Sequence, residues 1–319
     1  MVYNPFNSIL GVIIGVFMIL AWLPTIFLTE INNKGNRIEL DKLKAFLDTD
    51  DFKVTPGTLT GTTINSITWD KDYTNAGIIS NTPPPNSVLD TEYIYIYYTG
   101  IKTTTTTVTE NGKQETKTTT DFLTDGHTNS NVTFDGTTIA STDLNYLAKL
   151  KYIDIKDINV SDTVKITVSF YGILNNAKVC KVEGLDSHKD DFDIDIFNYE
   201  YGENKEDARN AIINRKDANN IVWKWIGRIG TFILLFIGLI ALISPVRDAI
   251  NAGATIPGIG FLMTPFKWII GLYDVASLLI AIILTILMTM FVYALVNYPI
   301  ISMLLGGIII GLRLYLNKH

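Results

Sequence analysis

The sequence has a single cysteine, Cys180, so no disulfide can form within the chain and any water-facing domain must be held by its own core. In its strand-like setting, Ala177-Lys178-Val179-Cys180, that cysteine reads as a small buried hydrophobe rather than a reactive thiol. The three histidines, His127, His188 and His319, are far apart and in no metal-ligand spacing. Basic residues are not in excess: 26 Lys and Arg against 32 Asp and Glu give a net charge of −6. That balance argues against nucleic acid as a partner, because phosphate recognition needs clustered cations. There is no nucleophile elbow, phosphate-binding loop or paired-histidine helix, so neither an enzyme nor a cofactor or metal site is expected.

What the chain does have is long apolar runs. Ile9–Leu28, Ile226–Ile243, Leu272–Val296 and Pro299–Leu312 are each long enough, or nearly so, to cross a hydrocarbon layer of ~30 Å at ~1.5 Å per residue. The first run leaves through Leu28-Thr29-Glu30 rather than a small-residue cleavage site and has no basic residue before it, so it reads as a retained anchor. Asn297-Tyr298-Pro299 leaves room only for a tight turn between the last two runs. Charge is distributed to match. Between residues 30 and 220, 20 Lys and Arg stand against 30 Asp and Glu; elsewhere the numbers are 6 and 2.

These features predict an α+β membrane protein with four transmembrane helices, one N-terminal and three C-terminal, and a β-rich ectodomain inserted between the first and second. The expected divisions are a tail at 1–8, a first crossing at 9–29, the lumenal or extracytoplasmic domain at 30–220, a second crossing at 221–243, and an interfacial or re-entrant loop at 244–271. A third crossing at 272–296, a fourth at 298–315 and a tail at 316–319 complete the chain. Four crossings put both termini on one side. Arg247, Lys267, Arg313 and Lys318 on that side, against an uncharged turn at Asn297, point to the cytoplasm. Asn131-Val132-Thr133 and Asn159-Val160-Ser161 are then glycosylation acceptors on the lumenal or exterior side. At the entry to the second crossing, Trp223 and Trp225 stand where an interfacial aromatic belt belongs, and Arg228 is close enough to snorkel to the headgroups.

Inside the middle domain, Leu40, Leu43 and Leu47 at helical spacing predict a short amphipathic helix over 38–47, and Asn81–Asn86, with three consecutive prolines, reads as a stiff linker. Tyr93–Thr109, the Asn111-Gly112 pair and Lys113–Phe122 predict a long β-hairpin, since Asn-Gly accepts the positive φ of a two-residue turn. Asp143–Lys151 reads as a helix, Val164–Ile173 as a strand with Ala177–Val182 as its pairing partner, and Glu203–Asn220 as a helix leading to the second crossing. The acidic run Asp190–Asp195 would align Asp191, Asp193 and Asp195 if extended. Counted from Asp191, it has Ile196 where a calcium loop needs Gly and Gly202 where it needs Glu, so it reads as a solvated acidic face.

Several of these motifs, taken in order, resemble the transmembrane protein 43 family, also called LUMA. The first anchor ends in Glu30 and Lys34-Gly35-Asn36-Arg37, similar to the family's Asn-Glu-Gly-Arg. The tyrosine-rich strand with its Glu110–Lys113 turn and Glu115–Thr118 return looks like the family's hairpin, and Asp162–Gly172 resembles its Gly-Asp-x-Arg-Val-Ser-Phe strand. Asn220, Trp225, Arg228 and Gly230 resemble the Asn…Trp-x-x-Arg-x-x-Gly entry to its second crossing. Ser244-Pro245, Ile256–Gly260 and Tyr298-Pro299 look like its Arg-Pro, Ile-Pro-x-x-Gly and Tyr-Arg-Pro elements. The resemblance implies a non-catalytic scaffold of the endoplasmic reticulum and inner nuclear membrane, associated in eukaryotes with emerin and lamins, and a cell-membrane protein in bacteria. Expected partners are membrane lipids, other membrane proteins and further copies of the chain; the alternative function is a channel or transport-complex subunit, and behind it a membrane-anchored enzyme.

Overall fold

The computed structural model describes residues 5–64, 67, 69–75, 92–110, 113–128, 131–254 and 264–298. The fourth expected crossing, the proline linker and the Asn111-Gly112 turn residues lie outside them. The chain divides into two compact units: Met1–Lys42 with Lys216–His319, and Leu43–Arg215.

In the first unit the helices are long and apolar. The helix α1 runs without a break over Pro5–Leu47, so the expected anchor and the amphipathic segment are one element. Pro24 inside it cannot donate to the preceding turn. Next to it, the hydroxyl of Thr25 donates to the Ala21 carbonyl at 2.7 Å and that of Thr29 to Thr25 at 2.8 Å, adding bonds where the ladder is weakened.

The second unit holds the strands: β1 (Lys53–Thr60), β2 (Tyr93–Glu110), β3 (Lys113–Phe122), β4 (Gly126–Thr128), β5 (Thr133–Phe134), β6 (Thr137–Thr138), β7 (Tyr152–Ser161), β8 (Val164–Leu174), β9 (Lys178–Glu183) and β10 (Tyr199–Tyr201). Two antiparallel sheets result, in the orders β10-β9-β1-β5-β6 and β3-β2-β8-β7, with β4 also pairing with β2. The hairpin follows the expected register, from Glu110 opposite Lys113 to Ile101 opposite Phe122.

Helices α2 (Lys71–Asn75), α3 (Ser141–Lys149) and α4 (Lys189–Phe192) complete this unit. Residues 94–98 of β2 are all buried, because both faces of that strand are covered. On one face Tyr95 and Tyr97 pack with Leu59, Leu144 and Leu147; on the other Ile96 and Tyr98 pack with Trp69, Tyr73 and Phe170. A third cluster joins Leu43 and Leu47 to Phe52, Cys180, Val182 and Ile212.

One local expectation is corrected. Residues 178–183 do not pair with β8. Asn176 takes a left-handed backbone (φ 61°), its N–H donates to the Leu59 carbonyl at 2.9 Å, and Leu59 N–H donates to the Ala177 carbonyl at 2.9 Å. The connection is thereby tied to β1, and β9 enters the other sheet between β1 and β10. In the acidic run α4 ends at Phe192 and Asp193 is left-handed (φ 41°), and Asp191, Asp193 and Asp195 are all exposed.

The chain returns to the first unit through α5 (Lys205–Leu242), followed by α6 (Ser244–Ala254) and α7 (Thr264–Asn297). Helix α6 occupies the first part of the expected 244–271 loop, and α7 begins eight residues before Leu272. Among the described residues, three helices are long and apolar enough to cross a membrane: Ile9–Leu47, Lys205–Leu242 and Pro265–Asn297.

Candidate functional site

The site grows out of the seam between α1 and α5. At two places along the seam the helices approach so closely that a Cβ on Gly15 would come within 2.8 Å of the Gly238 carbonyl, and one on Gly227 within 2.7 Å of the Thr29 side chain. Small residues permit such an approach where lipid supplies no hydrophobic drive for association. Close packing also excludes water from whatever polar group lies beside it. Here that group is Glu30, 1% exposed, which accepts a fork of hydrogen bonds from Arg228: Nε to Oε1 at 3.0 Å and Nη2 to Oε2 at 3.2 Å. The parallel geometry is the strong form of a guanidinium–carboxylate pair. Arg228, expected to reach for headgroups, is instead claimed by a carboxylate 198 residues away in the chain.

Further polar contacts continue along the same helices. Lys216, 2% exposed, pairs with Glu39 at 3.1 Å, and the Asn220 amide donates to the Asn36 carbonyl at 3.3 Å. The last turn of α7 joins in. Lys34 Nζ donates to the Val296 carbonyl at 2.9 Å, so a cation meets the negative end of that helix. Arg37 donates to Tyr293 Oη at 3.2 Å and to Asn297 Oδ1, with its guanidinium 5.4 Å from the Tyr293 ring centre. A cleft of about 120 Å³ lies among Glu30, Asn33, Arg37, Asp217, Lys224 and Asn297. The Asn33 amide nitrogen is buried there without a hydrogen-bond partner. A third ion pair joins Arg247 of α6 to Asp274 of α7, and Tyr273 Oη donates to the Leu239 carbonyl at 2.9 Å. Because α7 starts at Thr264, Asp274 is about three turns inside the helix rather than near its edge.

The strand-rich unit has its own buried polar cluster. Glu200 is almost fully enclosed; it pairs with Arg215 and accepts from Tyr146 Oη at 2.6 Å, while Arg215 also donates to the Asp195 carbonyl at 3.1 Å. Tyr146 stacks on Phe197 with ring centres 3.6 Å apart. Burial pushes the Glu200 carboxyl above its usual range, against the opposing pull of Arg215 and the Tyr146 hydroxyl. Asp143 likewise accepts from both the backbone and side-chain nitrogens of Asn198, at 3.0 and 3.1 Å. The thiol of Cys180 is buried, donates weakly to the Gly202 and Asn204 carbonyls, and is pushed up by burial, the opposite of an activated nucleophile.

The remaining residues singled out from the sequence fall as follows. Trp223 and Trp225 expose more than half of their surface on α5. Asn131 lies in an exposed loop and Asn159 is exposed on β7, so both acceptor side chains are accessible. Among the described residues no group of three or more His, Cys, Asp or Glu is placed to hold a metal ion. Sequence reasoning missed Glu30, Glu39 and Lys216 as partners; the available signal was a lone carboxylate directly after a charge-free run of 29 residues.

Three apolar helices, polar groups paired between them, and a separate strand-rich unit define an integral membrane protein. Residues 185–298 match the family model described as Transmembrane protein 43. The match runs from just after β9 to the end of α7 and contains the Asn220, Trp225, Arg228 and Ser244-Pro245 positions on which part of the resemblance rested. No curated protein and no solved structure matches the chain.

Proposed function

We propose that this chain is a non-catalytic membrane scaffold, in which the apolar helices serve as the anchor and the strand-rich unit recruits partners. The observation that carries this reading is where the helices direct their charges: Glu30 to Arg228, Glu39 to Lys216 and Asp274 to Arg247. Groups matched in this way fasten helices to one another, whereas a general acid or base must face a substrate. The strand-rich unit, by contrast, presents long strands with exposed residues. On this reading both termini are cytoplasmic, the strand-rich unit is lumenal or extracytoplasmic, and the compartment is the endoplasmic reticulum and inner nuclear membrane in a eukaryote or the cell membrane otherwise.

Proximity labelling from the strand-rich unit tests the scaffold: membrane-associated neighbours should be enriched over a control of matched topology, and no enrichment would remove the main content of the idea. Glycosylation mapping at Asn131 and Asn159 tests sidedness. A second reading, a channel or transport-complex subunit, draws on the same ion pairs, since ionisable groups within apolar helices also mark ion pathways. Unitary currents from the purified chain in liposomes, lost on substitution of Arg228 or Asp274, would favour it.

A further inference from the structure

We infer that β3 is a self-complementary docking edge through which two copies of this chain join their sheets. The inference concerns the strand-rich unit alone and is independent of the scaffold reading of the helices.

The two ends of the β3-β2-β8-β7 sheet are finished differently. Strand β7 is interrupted by register shifts between Tyr152 and Asp154 and between Asn159 and Ser161, and such bulges spoil the ladder that an incoming strand would extend. Strand β3 pairs with β2 at ten consecutive positions without a shift. Among the described residues no strand pairs with its other side, and residues 114–122 are exposed on both faces. In addition, β8 pairs with β2 no further than Thr104 opposite Val164. Beyond the Thr105 N–H bond to the Thr163 carbonyl at 2.8 Å, Thr106–Glu110 and Lys113–Lys117 form a two-stranded arm, a form that is marginal in water without a further strand.

The charges select the occupant. Across the hairpin Asp121 stands opposite Lys102, an opposite charge. Glu115 faces Val108 and Lys117 faces Thr106, so neither has an opposite charge directly across the hairpin. These two charges flank Thr116. A second β3 laid antiparallel, with Thr116 opposite Thr116, places each Glu115 opposite the other copy's Lys117, twice over by symmetry, and each Gln114 opposite Thr118. A two-fold axis normal to the sheet keeps each face on its own side, so allowed registers differ by two residues. The neighbouring ones place Glu115 opposite Glu115 or Lys117 opposite Lys117, which like-charge repulsion disfavours. Reciprocal pairing about a central residue is the mark of an isologous interface, and extending a sheet edge supplies its backbone hydrogen bonds.

The test uses the full-length chain in liposomes, where Cys180 is the only native cysteine and is buried. Under mild oxidation Thr116→Cys should give a disulfide-linked dimer. Thr119→Cys should not, because its two copies would lie six residues, about 20 Å, apart. Glu115→Lys in the Thr116→Cys background should reduce cross-linking at least tenfold, and adding Lys117→Glu should restore it, since the double reversal recreates the pairs with their signs exchanged. Unchanged circular dichroism would show that each variant is folded. Equal cross-linking at 116 and 119, no dimer from Thr116→Cys, or a double reversal that fails to recover would each overturn the inference. So would a Thr116→Cys adduct, formed in native membranes, with a chain of different mass, which would assign the edge to another protein.

Discussion

The two units of this molecule place their polar and apolar residues in opposite senses. In the strand-rich unit the buried side chains are Leu59, Ile94, Ile166, Phe170 and their neighbours, while the threonines and charges of β2 and β3 face outward. In the helical unit Phe17 and Leu20 are 71% and 69% exposed, and Glu30, Lys216, Thr231, Ser277 and Thr285 are buried. Those five are the majority of the eight buried polar residues among those described. A water-surrounded unit gains by hiding hydrocarbon. For helices in lipid that gain vanishes between neighbours, and association falls to close packing, hydrogen bonds and paired charges.

Four tests would break or sharpen this contrast. The largest effect is expected from Glu30→Gln, which leaves the Arg228 guanidinium without its counter-charge. Loss of one partner of a buried pair is costly, and the helical unit should lose about 3–5 kcal/mol, measured by reversible unfolding in bicelles. Removing the second charge as well, in Glu30→Gln with Arg228→Met, should recover most of it. A loss under about 1 kcal/mol would put the pair in the class of exposed ion pairs and weaken the inside-out description.

The same truncation should then have opposite consequences in the two units. Leu59→Ala, in the strand core, should cost about 2–5 kcal/mol by denaturant unfolding. Leu20→Ala, facing outward on α1, should cost no more than about 0.5 kcal/mol in lipid. Similar losses at both sites would mean that α1 buries that face against protein.

Smaller than the Leu59→Ala loss is the effect of Gly238→Val. An added Cβ there meets the Ile19 side chain at 2.9 Å and the Gly15 carbonyl at 3.2 Å, so the helices must separate, at about 1–3 kcal/mol. Loss of the Glu30–Arg228 pairing in the same variant would show that the glycine contact and the ion pair act as one seam.

The smallest effect concerns acid stability of the strand-rich unit. Lys165 at 2.6 Å and the Thr167 hydroxyl at 2.7 Å hold the exposed Asp157 carboxyl below the usual Asp value. Its folded pKa is the lower one, so its contribution is present above the unfolded pKa and fades as pH falls through the folded value. Asp157→Asn should therefore lower the neutral plateau slightly and shallow the acid limb, the two stability curves converging at low pH. An unchanged acid limb would show the pair to be fully screened.

Legibility from sequence also differs between the units, for reasons tied to particular residues. The β2–β3 hairpin was readable because everything that specifies it is local: an Asn-Gly turn and β-branched residues on either side. The helices α3 and α5 were readable for the same reason, through periodicity and charge. Strand β1 was not predicted, since Lys53–Thr60 contains Pro56 and Gly57, both poor strand signals. They are tolerated because, among the described residues, β5 pairs only with Leu59 and Thr60, so that Pro56 has a ladder on the β9 side alone, and Phe134 fills the space beside Gly57. The placement of β9 was misread because one left-handed residue, Asn176, redirects the chain to a sheet whose other strands are distant in sequence. At the candidate site Arg228 was singled out, but its partner was not.

Taken alone, the order of residues settled that long stretches of this chain are too apolar for water, that a strand-rich domain lies between them, and that cysteine chemistry has no structural part. Those properties depend on hydrocarbon content and short-range spacing, which accumulate along the chain whatever its path. Which carboxylate answers Arg228, which sheet receives residues 178–183, and which edge of the second sheet is left regular were decided only by the tertiary structure. Each depends on the meeting of groups scores of residues apart, and a linear pattern does not encode which helix face or strand edge will come to lie within 3 Å of another.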